Sequence, residues 1–209
     1  MAGQVRRTRS SLTSEEILAA AERVAVRGFD ALTIRAVATE VGASPMSLYR
    51  YFATKDDLVS ALLDRVLARV DRPLASEDWL DDLRRFAFDH ARVLIEHPWV
   101  IAPLFSIPDP GVGAAMTGEH ALAILARGGI EGPDAVAAFS GILALNYGWA
   151  AFASPHRTVD QMRQAMELLP PAQFPYSVVV ADEMSRYAGQ DNYERTLGLL
   201  LEGIARASR

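Results

Sequence analysis

Apolar residues recur at helical spacing along nearly the whole chain. Ile17, Ala20, Ala21, Val24 and Phe29 give a first apolar stripe, opened by Thr13 and Glu16 at capping-box spacing. Ile34, Val37, Ala38 and Val41 then fall at i, i+3, i+4 and i+7, the spacing of one buried helical face. Gly42 stops that helix, since glycine enters the left-handed conformation without steric cost. Ser44 suits the cap of the next helix and Pro45 its first position. Leu48 and Phe52 continue the apolar face, and Thr54 caps a further helix through Leu58, Ala61, Leu62, Arg65 and Val66 to about Val70. Two short helices joined by so little chain must cross sharply. That is the geometry of a helix-turn-helix, whose second helix can enter a DNA major groove.

Asp71-Arg72-Pro73 ends this unit, and the pattern beyond it is again helical. Ser76 opens a long amphipathic helix through Leu83, Phe86, Ala87, His90, Leu94 and Ile95, stopped at His97-Pro98. Short helices are expected at 99–105 and 114–126, separated by a loop with Pro108, Pro110, Gly111 and Gly113. Residues 133–154 predict a longer helix with no charge from Ala135 to Ala153. That length raises a membrane span. Asn146, Ser140 and Tyr147 within it and the weak flanking anchors point instead to a helix buried between neighbours. Helices are further expected at 159–168, at 176–187, and at 192–207, the last opened by Asp191 and Glu194. No strand hairpin is evident, so the fold class is all-α. A basic arm (residues 1–11) precedes a three-helix helix-turn-helix domain (12–71) and a helical regulatory and dimerisation domain (76–209).

Charge sharpens this division. Residues 1–70 hold 10 Lys+Arg against 8 Asp+Glu, and residues 71–209 hold 11 against 18. An acidic protein can still bind DNA through a local field, and the acidic remainder argues against a uniformly nucleic-acid-coating protein and for one basic face on a small domain. Arg6, Arg7 and Arg9 make the arm either a reach toward phosphates and the minor groove or a solvated tail. No cysteine is present, so disulfides, thiolate catalysis and cysteine zinc sites are excluded. The opening MAGQVRRTRS has no apolar run behind its cations, which does not match a signal peptide, and the expected location is cytoplasmic. No catalytic spacing stands out. His90 and His97 lie two helical turns apart, on the order of 10 Å, too far to share a metal. Neither an enzyme, a metal site nor a cofactor is expected.

The run LTSEEILAAAERVAVRGFDALTIRAVATEVGASPMSLYRYFATKDDLVSALLD resembles the N-terminal domain of the tetracycline-repressor (TetR) family of bacterial regulators. Its LYRYF–TKDDL segment is far more specific than a bare helix-turn-helix. The resemblance implies a homodimer that binds a palindromic double-stranded operator and is released by a small molecule. On this reading Ser44, Pro45, Met46, Ser47 and Tyr49 meet the major groove, with Arg35 reaching a base. Thr33, Tyr49, Tyr51 and Lys55 anchor phosphates, and Arg50 serves either DNA or a surface salt bridge. In the family the central and final helices pack against their copies, which here implies Ala137, Gly141, Ala144, Gly148 and Ala151 with Leu197, Leu200, Leu201 and Ile204. The alternative is that both helices fill a monomeric core.

Large side chains concentrate after the linker, and helical-domain pockets are apolar with a few polar groups. Phe86, His90, Trp99, Leu104, Phe105, Met116, His120, Phe139, Asn146 and Tyr147 are the candidate pocket. By the resemblance, Phe86 and His90 fall near drug-contacting positions of the family's namesake. The segment that holds its metal-coordinating histidine here reads Ala102-Pro103-Leu104-Phe105, so the effector is expected to be a largely apolar molecule and not a magnesium chelate. Other readings on the same sequence are an activator, or a small-molecule carrier with a vestigial DNA-binding domain. A spoiled recognition helix would mark the carrier, and here that helix is intact.

Overall fold

The computed structural model describes residues 12–107, 111–152 and 158–207. The expected arm, Pro108, Pro110 and the end of the helix at 153–154 lie outside the described residues, as does His156. Twelve α-helices and no strand are present among the described residues.

Local chemistry explains the first four helices. α1 (Ser14–Ala25) begins with the expected capping box: Thr13 Oγ1 accepts from Glu16 N at 3.2 Å, and Thr13 N donates to Glu16 at 3.0 Å. Phe29 is not on that helix; it opens a 3₁₀ turn, Phe29–Ala31. α2 (Ile34–Glu40) is capped by Thr33 and ends before Gly42, whose φ of +68° is left-handed. α3 (Pro45–Leu48) is capped by Ser44, with Pro45 in the first turn. α4 (Lys55–Leu67) has a capping box of Thr54 and Asp57. Ile17, Leu32, Val37, Leu48, Leu58 and Leu62 are all sealed from solvent and close these helices on one core.

The second half is built from α5 (Trp79–Glu96), α6 (Ile101–Ser106), α7 (Val112–Arg127), α8 (Gly132–Phe152) and α12 (Gln190–Ala207). Between α8 and α12 lie the shorter α9 (Val159–Glu167), α10 (Pro175–Val179) and α11 (Ala181–Ser185). Three expected boundaries change. Asp78, not Ser76, caps α5, accepting from Leu80 N and Asp81 N at 2.9 and 3.1 Å. Ser76 is engaged instead by Asp82, through its N–H at 2.9 Å and its hydroxyl at 2.8 Å. The helix expected at 176–187 breaks in two at Val180, after a Val178-Val179 run whose β-branched side chains are poor helix formers. α12 starts at Gln190, so Asp191 lies in its first turn and Glu194 bonds Gln190 at 3.0 Å, not the Asp191 backbone.

Polar contacts join the halves on two sides. The α4 carboxylate of Asp64 accepts from Gly113 N at 2.6 Å, in the first turn of α7. On the other side, Arg69 reaches His97 Nε2 at 2.6 Å and Glu22 on α1 at 2.7 Å. Burial works against the Glu22 carboxylate, yet the Arg69 and Arg65 guanidiniums hold its pKa below the usual range. Asp82 is buried and accepts from Arg127, Arg85 and Ser76, with the Arg127 bond foremost in holding its pKa down at about 2.

Candidate nucleic-acid interface and effector site

The turn at Gly42 and the cap at Ser44 set α3 across α2, and Leu48 and Phe52 fasten it from beneath. The upper face is then left to solvent. Met46 is 73% exposed, and Tyr49 and Tyr51 are 46% and 42% exposed. Ser44, Pro45, Arg50, Arg35 and Thr33 are also exposed, whereas Ser47 is half-buried with its hydroxyl 2.9 Å from Ser44 Oγ. Thr33 Oγ1 is occupied in capping α2, accepting from Ala36 N at 3.1 Å. The Tyr51 hydroxyl likewise has a partner within the domain, the Leu12 carbonyl, so its sequence-based role at a phosphate must compete with that bond.

The distribution of ion pairs was not visible in the sequence. Arg23 and Arg27 both pair with Glu40. Arg65 pairs with Glu15 and Glu22, and Arg69 with Glu22. Among the described residues of this domain, Arg35, Arg50 and Lys55 are the cations with no carboxylate at ion-pair distance. Lys55 Nζ instead stands 4.8 Å from the centroid of Phe29 at the start of α4. The unneutralised cations thus lie on α2, directly after Tyr49, and at the start of α4, on and around the helix that carries the exposed Met46. Surface of that kind suits a phosphate backbone flanking base edges.

The second half contains a chain of rings. Phe86 stacks on His90 with centroids 5.9 Å apart, and His120 meets Phe86 edge-on at 5.9 Å. His90 and Tyr147 are 5.9 Å apart, and Tyr147 and Phe105 are 5.5 Å apart. Six of the expected pocket residues thus come together, since Asn146 also bonds His90. Phe139 is half-buried over Gly118, Leu104 is half-buried and Trp99 is buried. Phe105 and Met116 are 73% and 49% exposed, so neither encloses a pocket in the single chain. Phe105 lies instead on the rim of an apolar groove of 480 Å³ along α8.

Asn146 fixes the protonation of this cluster. Its Nδ2 donates to the Ala87 carbonyl at 3.0 Å and to His90 Nδ1 at 2.9 Å. Tyr193 Oη lies 2.8 Å from Asn146 Oδ1 and 3.0 Å from the same carbonyl, its one hydrogen shared between them. Since the Ala87 carbonyl only accepts, the amide orientation is set, His90 Nδ1 must accept, and the neutral ring carries its hydrogen on Nε2. Burial pushes the His90 pKa down to about 4, from 6.5, and raises those of Tyr147 and Tyr193. The unfolded chain therefore binds this proton more readily than the folded one. Stability is full above about pH 6.5 and lost as pH falls toward 4, by about 3 kcal/mol for a shift of this size. Urea unfolding at pH 7 and pH 4.5 should show that loss in the wild type and a smaller one in His90→Gln. Equal losses would contradict it.

A cleft of 640 Å³ lies elsewhere, between the outer face of α5 and the start of α12, lined by Arg84, Arg85, Asp89, Arg92, Glu96 and Tyr193 among others. Its charges are largely paired within α5: Arg92 with Asp89 and Glu96, Arg85 with Asp81 and Asp82. Such a lining leaves little unsatisfied for a ligand.

The dimer candidates divide. Leu197, Leu201 and Ile204 are buried against their own chain, so they have almost no area to offer a partner. Gly141 faces Leu200 of its own α12. Ala137, Ala144 and Ala151 are exposed and Gly148 is half-buried. Val136 and Leu199, which the apolar spacing did not select, are 60% and 67% exposed. Two grooves follow this surface, that of 480 Å³ and one of 320 Å³ between α8 and α12.

The sequence signature described as "Bacterial regulatory proteins, tetR family" matches residues 17–62, and that described as "Tetracyclin repressor-like, C-terminal domain" matches residues 72–207. The chain belongs to the TetR family. One relative, an HTH-type transcriptional regulator of Saccharopolyspora erythraea, is 36% identical over 143 residues, covering 68% of this chain and 60% of its own length. The HTH-type transcriptional repressor DrrR1 of Streptomyces coeruleorubidus is 32% identical over 131 residues, 61% of this chain and 48% of that protein. The chain thus spans between 48% and 60% of the length of these two relatives. The TetR family protein ActR of Streptomyces coelicolor, solved in complex with (S)-DNPA, superposes with a TM-score of 0.85 at 22% identity, covering 95% of this chain and 99% of that chain. At that identity the likeness establishes the fold.

Proposed function

We propose that this TetR-family chain is a cytoplasmic, homodimeric transcriptional repressor that reads a palindromic operator and is released by a small aromatic or apolar effector. The observation that carries the DNA reading is that Arg35, Arg50 and Lys55 of the helix-turn-helix domain have no ion-pair partner among the described residues while Met46 and Tyr49 of its second helix stand exposed. Two-fold reading requires two recognition helices about 34–36 Å apart, one helical turn of DNA. The exposed apolar side of α8 and Leu199 of α12 supports self-association at that end. Repression is supported by the description of DrrR1 as a repressor, and effector binding by the ActR complexes with (S)-DNPA and actinorhodin. No catalytic or cofactor role is assigned.

Release follows if the effector favours a conformer whose recognition helices are wrongly spaced. α4 is the lever, because it carries Lys55 at one end and Asp64 against α7 further along. A ligand shifts this equilibrium only by its differential affinity, and a full reversal needs about 10⁴-fold. The test of the DNA face is Lys55→Gln. Its affinity should fall alike on all sequences, and the slope of log K against log salt should flatten by about one unit. An unchanged slope would remove Lys55 from the interface.

A further inference from the structure

We propose that Arg72 is the anion-binding residue of the effector site, and that the effector is an aromatic molecule bearing a carboxylate. This rests on the reading of the ring cluster as the effector site. It also replaces a purely apolar effector with an anionic one.

Arg72 Nε and Nη2 are both sealed from solvent and neither has a hydrogen-bond partner. Leaving a buried donor unmade costs about 1–3 kcal/mol, more for a charged group, so folded proteins rarely tolerate two on one side chain. These two atoms are not an arbitrary pair. They lie on the same edge of the guanidinium, the edge that grips a carboxylate with two parallel bonds.

No carboxylate among the described residues takes that edge. Asp82 is already engaged by Arg127, Arg85 and Ser76, and Asp71 and Asp89 are joined to each other through the Asp71 N–H. Arg72 does act on the ring cluster: burial and then the Arg72 charge hold the His120 pKa below its ordinary value. His120 in turn touches Phe86, and Phe86 stacks on His90. A planar ring system with a carboxylate at one end matches that order of groups. Trp99 Nε1, buried with no partner, is another donor in the same half of the chain.

Arg72 is also placed to transmit binding. It lies in the linker between α4 and α5, so a carboxylate held there is held at the foot of the lever.

Calorimetry on the full-length protein with naphthalene-2-carboxylate and naphthalene-2-carboxamide tests the assignment. The acid should bind at least about tenfold more tightly than the amide, the effect of a charge-assisted bond. Arg72→Gln should erase that difference, with the acid losing more affinity than the amide. Arg72→Lys, which keeps the charge and loses the fork, should retain only part of it. Equal binding of acid and amide by the wild type, or a full acid preference in Arg72→Gln, would overturn the carboxylate assignment and leave the ring cluster standing as a site. Failure of both compounds to bind would overturn the cluster as a site and the proposal with it.

Discussion

Asn146→Leu is expected to destabilise the second half of the chain by about 2–4 kcal/mol, although leucine matches asparagine in size and suits an apolar helix. The amide holds three buried groups together. Its Nδ2 satisfies the Ala87 carbonyl and His90 Nδ1, and its Oδ1 faces Tyr193 Oη, all of them buried. Each orphaned buried group costs about 1–3 kcal/mol, and the Tyr193 hydroxyl can recover only one partner, the Ala87 carbonyl. In a chain of this size the thermal midpoint should fall by roughly 5–15 °C. The double variant Asn146→Leu/His90→Leu removes both ends of one bond and should be less destabilised than the sum of the two single changes. Calorimetric unfolding measures all of these. A midpoint unchanged in Asn146→Leu would mean that the network is not formed in solution.

Gly113→Ala carries the second large effect, on coupling between the halves. Gly113 lies within α7, where alanine is intrinsically the better residue. A Cβ there would nevertheless lie 2.8 Å from the Asp64 backbone oxygen and 3.0 Å from its Cα. No side-chain rotation relieves a clash with backbone, so α4 and α7 must move apart. Overpacking of this kind costs about 1–3 kcal/mol. It acts at the contact where Asp64 also accepts the Gly113 N–H, so the lever loses its register on α7. The expected outcome is a destabilised protein whose operator affinity no longer responds to effector as the wild type does. Titrating effector against operator-bound protein, wild type and variant side by side, reads this directly. A response of equal size in both would show that α4 does not transmit through Gly113.

What could be read from the sequence was short in range. Thr13 with Glu16, Ser44, Thr54 and the left-handed Gly42 each act within a few residues, and the structure has each doing so. Errors of local reading came where two residues compete for one task. Ser76 and Asp78 are both good caps, and the choice fell to Asp78 because Asp82, six residues on from Ser76, engages the serine. Facing was harder than helicity. Leu197, Leu201 and Ile204 form an apolar stripe that spacing alone gives equally to a core or a partner, and the packing of α12 on α5 and α8 gives it to the core. The contacts that join the halves were invisible. Asp64 to Gly113 spans 49 residues and Asn146 to His90 spans 56, and nothing in the periodicity of either segment names the other. Of the Gly111-Gly113 pair expected in a loop, Gly111 precedes α7 and Gly113 falls inside its first turn. The φ of +88° at Gly111 and the closeness of both to Asp64 show why glycine stands there.

The central claim is that the face built by Arg35, Met46, Tyr49, Arg50 and Lys55 reads a specific two-fold DNA site. Genomic fragments retained by the purified protein, sequenced against unselected DNA, test it most directly. Enrichment of a few fragments sharing an inverted repeat is expected, with loss of that enrichment in Tyr49→Ala/Arg50→Ala protein that remains folded. Retention of all fragments alike, or the same enrichment with and without those two side chains, would contradict it.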